Sequence, residues 1–126
     1  MLLNLTDLSD EPLQSQISRQ IRAKILSGEL SAGQVLPSIR GLAREQRVSV
    51  ITVQRGYENL ERDGLIHSRR GKGFFVSPIA KNRKKEMARA RLVEQLEPII
   101  KEAFSEGMSD QDILAVFKSV LGKRRS

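Results

Sequence analysis

Side chains able to do covalent chemistry are nearly absent from this chain of 126 residues. It has no Cys and one His, His67, which excludes a disulfide framework, a thiolate zinc site, a Cys nucleophile, a His-metal cluster and a serine triad together. Glu58, Glu61 and Asp63 have the spacing of a solvated helix face, so an enzyme is the least favoured class, and neither a metal nor another cofactor is expected. Cations are what the chain has in groups. Arg40 and Arg44 stand four residues apart, and Gln54-Arg55 follow a Ser49-Val50-Ile51-Thr52 run. Arg69-Arg70-Gly71-Lys72-Gly73 places three cations and two glycines in five positions. Lys81, Arg83, Lys84, Lys85, Arg89 and Arg91 are opposed by one acid, Glu86. Clustered guanidinium and ammonium groups bind phosphate oxygens, so the chemistry on offer is anion binding. With 22 Lys+Arg, 15 Asp+Glu and a net charge of +7, the partner is expected to be an anion. For the run from Lys81 to Arg91 the plainer reading, a solvated helix face, stays open beside a phosphate-facing one.

Charge alone does not separate a nucleic acid from an acidic membrane surface; the elements that carry it do. No apolar run approaches the roughly 18 residues of a membrane span, and Met1-Leu2-Leu3-Asn4-Leu5 lacks the pattern of a signal peptide. A cytoplasmic protein without a membrane partner is expected.

Leu3, Leu5 and Leu8 form a lead-in too short to classify. Glu11-Pro12 opens a helix with Leu13, Ile17, Ile21 and Ile25 at four-residue steps, and Gly28 ends it. Leu30 to Val35 reads as a loop. Ser38 offers an N-cap to a short helix with Ile39, Leu42 and Ala43 inward, which breaks near Gln46-Arg47. Gly41 stands where a Glu would complete a capping box, so this helix should be weak. Ser49 caps a longer helix to Asp63, with Val53, Tyr57 and Leu60 on one face and Gly64 after it. Leu65–Ser68 and Phe74–Val76 then read as a hairpin with a cationic tip. From Asn82 a helical stripe returns in Leu92, Leu96, Ile99, Ile100, Ala103 and Phe104, and Pro98 should kink or break it. After Gly107, Ser109 and Asp112 set up a capping box for a last helix bearing Ile113, Val116, Phe117, Val120 and Leu121.

Two helices joined by a tight turn, preceded by a helix and followed by a cationic hairpin, describe a winged helix-turn-helix. The fold expected is mainly α with a small β-hairpin wing: a winged helix-turn-helix over residues 1–78 and a two-helix C-terminal dimerisation tail over 79–126. The second helix of the pair commits Val53, Tyr57 and Leu60 to the core, which leaves its N-terminal end free to enter a major groove. Two helices cannot bury both tail stripes by themselves, so Leu92, Leu96, Ile99, Ile100, Phe104, Ile113, Val116, Phe117, Val120 and Leu121 are expected to pair with a second copy. A two-fold dimer selects a pseudo-palindromic site on double-stranded DNA.

The stretches Pro12-Leu13, Gln16-Ile17, Ile25-Leu26-Ser27-Gly28-Glu29-Leu30, Leu36-Pro37-Ser38-Ile39-Arg40, Arg55-Gly56-Tyr57, Leu60–Ile66 and Arg70-Gly71-Lys72-Gly73 carry a family likeness. Across residues 12–76 the chain resembles the GntR family of bacterial transcription regulators. The short remainder is similar to the two-helix tail of the family's YtrA-type branch, whose members pair through it and often repress transporter operons. The resemblance implies DNA contacts by Arg40 and Thr52. Beside these, Ser38, Arg44, Ser49, Val50, Ile51, Gln54 and Arg55 on the helices, and Arg69, Arg70, Gly71, Lys72 and Gly73 on the wing, are candidate contacts.

The sequence departs from the family in four places. Gln14 replaces a frequent Tyr, Arg47 a frequent Gly, Gly41 the capping Glu, and Val50-Ile51 polar residues at the tip of the reading helix. Val50 and Ile51 cannot hydrogen-bond base edges but can touch thymine methyls. A sequence-specific DNA-binding regulator, acting as a homodimeric repressor, is the leading expectation. A winged-helix module for protein interaction or RNA binding is the alternative. No polar constellation defines an effector pocket.

Overall fold

The computed structural model describes residues 1–125, which form two compact units, Met1–Lys84 and a second from Lys85 on. The first contains α1 (Leu13–Leu26), α2 (Ile39–Gln46), α3 (Val50–Arg62) and a hairpin of β1 (Ile66–Arg69) and β2 (Gly73–Val76). Helix α4 (Lys81–Ser105) begins before the boundary, and α5 (Asp110–Arg125) ends the described chain.

Sequence periodicity explains the core of the first unit. Ile17, Ile21 and Ile25 of α1, Leu42 and Ala43 of α2, and Val53, Tyr57 and Leu60 of α3 are all buried. Leu65, Ile66 and Val76 close it from the hairpin side. Helices α1 and α3 approach closely because residue 56 is glycine: a Cβ there would stand 2.9 Å from Ile17 Cγ2 and 3.2 Å from the Gln14 carbonyl oxygen. Burial, and secondarily the Glu45 carboxylate, holds the Tyr57 phenol above its ordinary pKa. It therefore stays a neutral donor, and its hydroxyl donates to the Pro37 carbonyl at 2.7 Å.

The N-terminal lead-in is built into this unit. Gln16 and Gln20, one helical turn apart, each grip the backbone of the extended arm on both its donor and its acceptor. The Thr6 N–H donates to Gln16 Oε1 (2.9 Å) and Gln16 Nε2 donates to the Thr6 carbonyl (2.7 Å). The Asn4 N–H and carbonyl pair in the same way with Gln20, at 2.7 and 2.8 Å. The match works because a helical i,i+4 step and an extended i,i+2 step cover similar distances. It lets Leu3 reach the core and leaves the buried Gln16 amide satisfied.

The segment from Leu30 to Val35, a loop by its glycine, has more order than a loop requires. Gly33 N–H donates to the Val76 carbonyl (2.8 Å), Val76 N–H to the Gln34 carbonyl (2.9 Å) and Leu36 N–H to the Phe74 carbonyl (2.9 Å), with a bridge between Val35 and Phe75. These bonds cover the free edge of β2 and tie the wing to the residues that open α2.

Of the kink or break expected at Pro98, the break does not occur. Helix α4 runs through it unbroken from Lys81 to Ser105. Pro98 removes the bond to the Glu94 carbonyl, but both residues are exposed, so water can solvate the freed oxygen. Gly107, at φ +92°, ends the helix, and Ser109 and Asp112 form a reciprocal capping box. The Ser109 N–H donates to the Asp112 carboxylate at 3.0 Å, and the Asp112 N–H to Ser109 Oγ at 3.2 Å.

Candidate nucleic-acid interface

Helix α3 is amphipathic in the sense a reading helix requires. At about 100° per residue, Ile51, Gln54, Arg55 and Glu58 fall opposite the stripe of Val53, Gly56, Tyr57 and Leu60. The first four are exposed and the second four buried. At the N-terminus Ser49 Oγ accepts the Thr52 N–H (3.1 Å) and lies 2.8 Å from the Thr52 hydroxyl. Thr52, half-buried, is therefore engaged with the cap. Gln54 Nε2 donates to Glu58 Oε1 at 3.2 Å, one turn along, which orients its amide.

Helix α2 presents its own N-terminus. Ser38 Oγ accepts the Gly41 N–H at 3.0 Å, and a Cβ at residue 41 would come within 2.8 Å of that oxygen, so Gly41 gives the cap room. Ser38, Arg40 and Arg44 lie on its outer side, Arg40 and Arg44 one turn apart. Arg47 ends α2 at φ 57°, the only non-glycine residue with positive φ among those described. A side chain in that conformation costs roughly 1 kcal/mol.

Pairing separates two kinds of cation. On α1, Arg19 bonds Glu11 (2.9 Å), Lys24 bonds Glu29 (2.8 Å) and Arg22 is paired with Asp63. Arg40, Arg44, Arg55, Arg69, Arg70 and Lys72 have no ion pair among the described residues. Their charge is left to solvent or an anion, and the N-terminal dipole ends of α2 and α3 add positive potential at the Ser38 and Ser49 caps.

The wing is held by register. Antiparallel pairing sets His67 against Phe75 and Arg69 against Gly73, and the Lys72 N–H donates to the Arg69 carbonyl at 2.9 Å to close the turn. Gly71 and Gly73, at φ +75° and +101°, permit that turn. The Arg69 guanidinium lies 4.8 Å over the Phe75 ring, and the His67 ring stacks on the same ring at 6.1 Å. His67 Nδ1 lies 2.9 Å from Ser77 Oγ, a strand position with a local partner. Sequence reading names Arg69 but misses its support by Phe75; the signal is the diagonal relation of the two residues once the hairpin register is written out.

In the second unit the apolar residues are largely uncovered. Leu92, Ile99, Phe104, Val116, Val120 and Leu121 are 49–58% exposed, and Leu96, Ile100 and Phe117 are half-buried. Ile113 is only 7% exposed, so it serves first as the contact that closes this unit. Val93 and Leu114 are also exposed, and the sequence reading misses them. Ile100, Phe104, Asp110, Ile113, Leu114 and Phe117 line a hollow of about 280 Å³. Among the described residues no helix is long and apolar enough to cross a membrane, and no His, Cys, Asp and Glu cluster has the makings of a metal site.

Residues 13–76 match the family described as bacterial regulatory proteins, gntR family. The chain is 33% identical over 107 residues to the HTH-type transcriptional repressor YtrA of Bacillus subtilis (strain 168), covering 85% of this chain and 82% of that one. Among solved structures, a GntR family transcriptional regulator from Listeria monocytogenes superposes with a TM-score of 0.76 at 30% identity, covering 88% of this chain and 96% of that one. The DNA-binding domain of AraR in complex with operator ORR3 superposes with a TM-score of 0.50 at 28% identity, covering 60% of this chain and 95% of that one.

Proposed function

The chain belongs to the gntR family of bacterial regulatory proteins and is a DNA-binding transcriptional regulator of its YtrA-like branch, and from that premise we propose that it acts as a homodimeric repressor on a pseudo-palindromic operator. One observation carries the reading: the cations of α1 are ion-paired, while those of α2, α3 and the wing named above are not. Residues 1–78 are the DNA-binding part and residues 79–126 the pairing part. Ser38, Arg40, Arg44, Ser49, Thr52, Gln54 and Arg55, with Val50 and Ile51, face the major groove and its phosphates. Arg69, Arg70 and Lys72 take adjacent backbone, with Gly71 and Gly73 letting it approach.

Pairing is supported by the uncovered stripes of α4 and α5, since a large exposed apolar patch marks an interaction surface. The name of the similar YtrA supports repression, and the operator complex of the similar AraR domain supports the duplex as ligand.

The test is binding of selected duplexes by Arg40→Ala and Arg55→Ala over a range of salt. A base contact is expected to cost about 1–3 kcal/mol and relax specificity at one position; a phosphate contact is expected to lower the salt slope by about one. Unchanged affinity and slope in both variants would favour a protein-interaction module instead.

A further inference from the structure

The leading edge of α3 is hydrocarbon. Val50 and Ile51 are 44% and 54% exposed, in the first turn after the Ser49 cap. The core takes Val53 and not these, and Ile51 is nearly opposite it on the helix. The polar groups around them are partly engaged: the Ser49 and Thr52 hydroxyls share a hydrogen bond, and one N–H of the Gln54 amide goes to Glu58. Arg55, one turn along the same face of α3, and Arg40 and Arg44 of α2 have no ion pair among the described residues and suit phosphate or base contact. A helix face that carries a cation behind β-branched hydrocarbon fits a major groove in which one base edge is itself apolar. The thymine C5-methyl is the hydrocarbon group the unmodified groove displays.

We propose that Ile51, flanked by Val50, reads a thymine in each half-site through its C5-methyl. The inference rests on the DNA-binding reading above and adds the base that the exposed tip selects. Contact with a methyl discriminates by burial rather than by hydrogen bonding, so its removal should weaken binding by about fourfold per half-site.

The experiment first selects duplexes from a random pool with the full chain at fixed salt, then replaces each selected thymine in turn by deoxyuridine. This removes the methyl and keeps the pairing edge and the O4 acceptor. The expected result is one thymine in each half-site at which deoxyuridine raises Kd about fourfold, a difference kept by Ile51→Val and lost in Ile51→Ser. Residue 51 is solvent-exposed, and circular dichroism verifies that both variants are folded. Enrichment of a duplex in which every deoxyuridine is neutral overturns the inference and leaves DNA binding standing. Discrimination that survives in Ile51→Ser overturns the assignment to this side chain. Failure to enrich any duplex overturns the premise, and the inference with it.

Discussion

The winged unit and the tail are both rich in apolar sequence and use it in opposite ways. The first folds Ile17, Ile21, Ile25, Leu42, Val53, Tyr57, Leu60, Leu65, Ile66 and Val76 into one interior and exposes the cations of α2, α3 and the wing. The second buries Ile113 alone among its described large hydrophobic residues and leaves Leu92, Ile99, Phe104, Val116, Val120 and Leu121 uncovered. Three helices and a hairpin enclose a volume, whereas two helices that meet around Phe104 and Ile113 leave their remaining faces outside. A unit that encloses its core is complete as a folded body; one that cannot leaves apolar surface open to a partner.

The largest effect expected from this contrast is at Phe117. A charge placed there by Phe117→Asp should give monomers in sedimentation and weaken operator binding about a hundredfold or more, because linkage of two reading units is lost. The winged unit should keep its helical signal. A dimer that survives would show that the seam joining two copies lies elsewhere.

Gly56→Ala acts on the other unit. Its methyl group meets Ile17 and the Gln14 carbonyl oxygen, so the α1–α3 contact must open, at a cost of about 1–3 kcal/mol in urea unfolding. Self-association should be unaffected. A change in dimerisation would mean that the two regions are not independent.

Arg47→Gly should relieve the left-handed turn between α2 and α3 and stabilise the winged unit by up to about 1 kcal/mol, read as a rise in its denaturation midpoint. The smallest effect is electrostatic. The Ser109 N–H, and secondarily its hydroxyl, hold the Asp112 carboxyl below its ordinary pKa. The lowered folded-state value means its contribution is present above the usual carboxylate range and disappears as pH falls through the depressed value. Asp112→Asn should remove that acid-side dependence from α5 helicity measured by circular dichroism, and leave the winged unit's acid response alone.

Much of this contrast is legible in the residues themselves. The four-residue stripe of α1, the Ser38, Ser49 and Ser109 caps, and the Gly64 and Gly107 stops are local features, decided by the chain within a turn or two. Pro98 reads as a kink or a break, and the helix does not break there, because the cost of an interior proline depends on whether the freed carbonyl meets water, which is a property of the helix's surroundings. Gln16 and Gln20 read as ordinary polar helix residues; their grip on Asn4 and Thr6 needs the arm to lie alongside α1.

What the residues decided alone was chemistry and pattern: no Cys and a single His, a surplus of cations, the period of each helix, and a hydrocarbon pair where a reading helix starts. What tertiary structure decided was which of those groups are already spent. Arg22 and Arg55 are the same side chain on neighbouring helices, yet one is neutralised by Asp63 and the other is not. Ile113 and Val116 lie within one turn of each other, yet one is enclosed and the other open. Ion pairing and burial depend on what stands opposite a side chain across the fold, at sequence separations that local propensity does not reach.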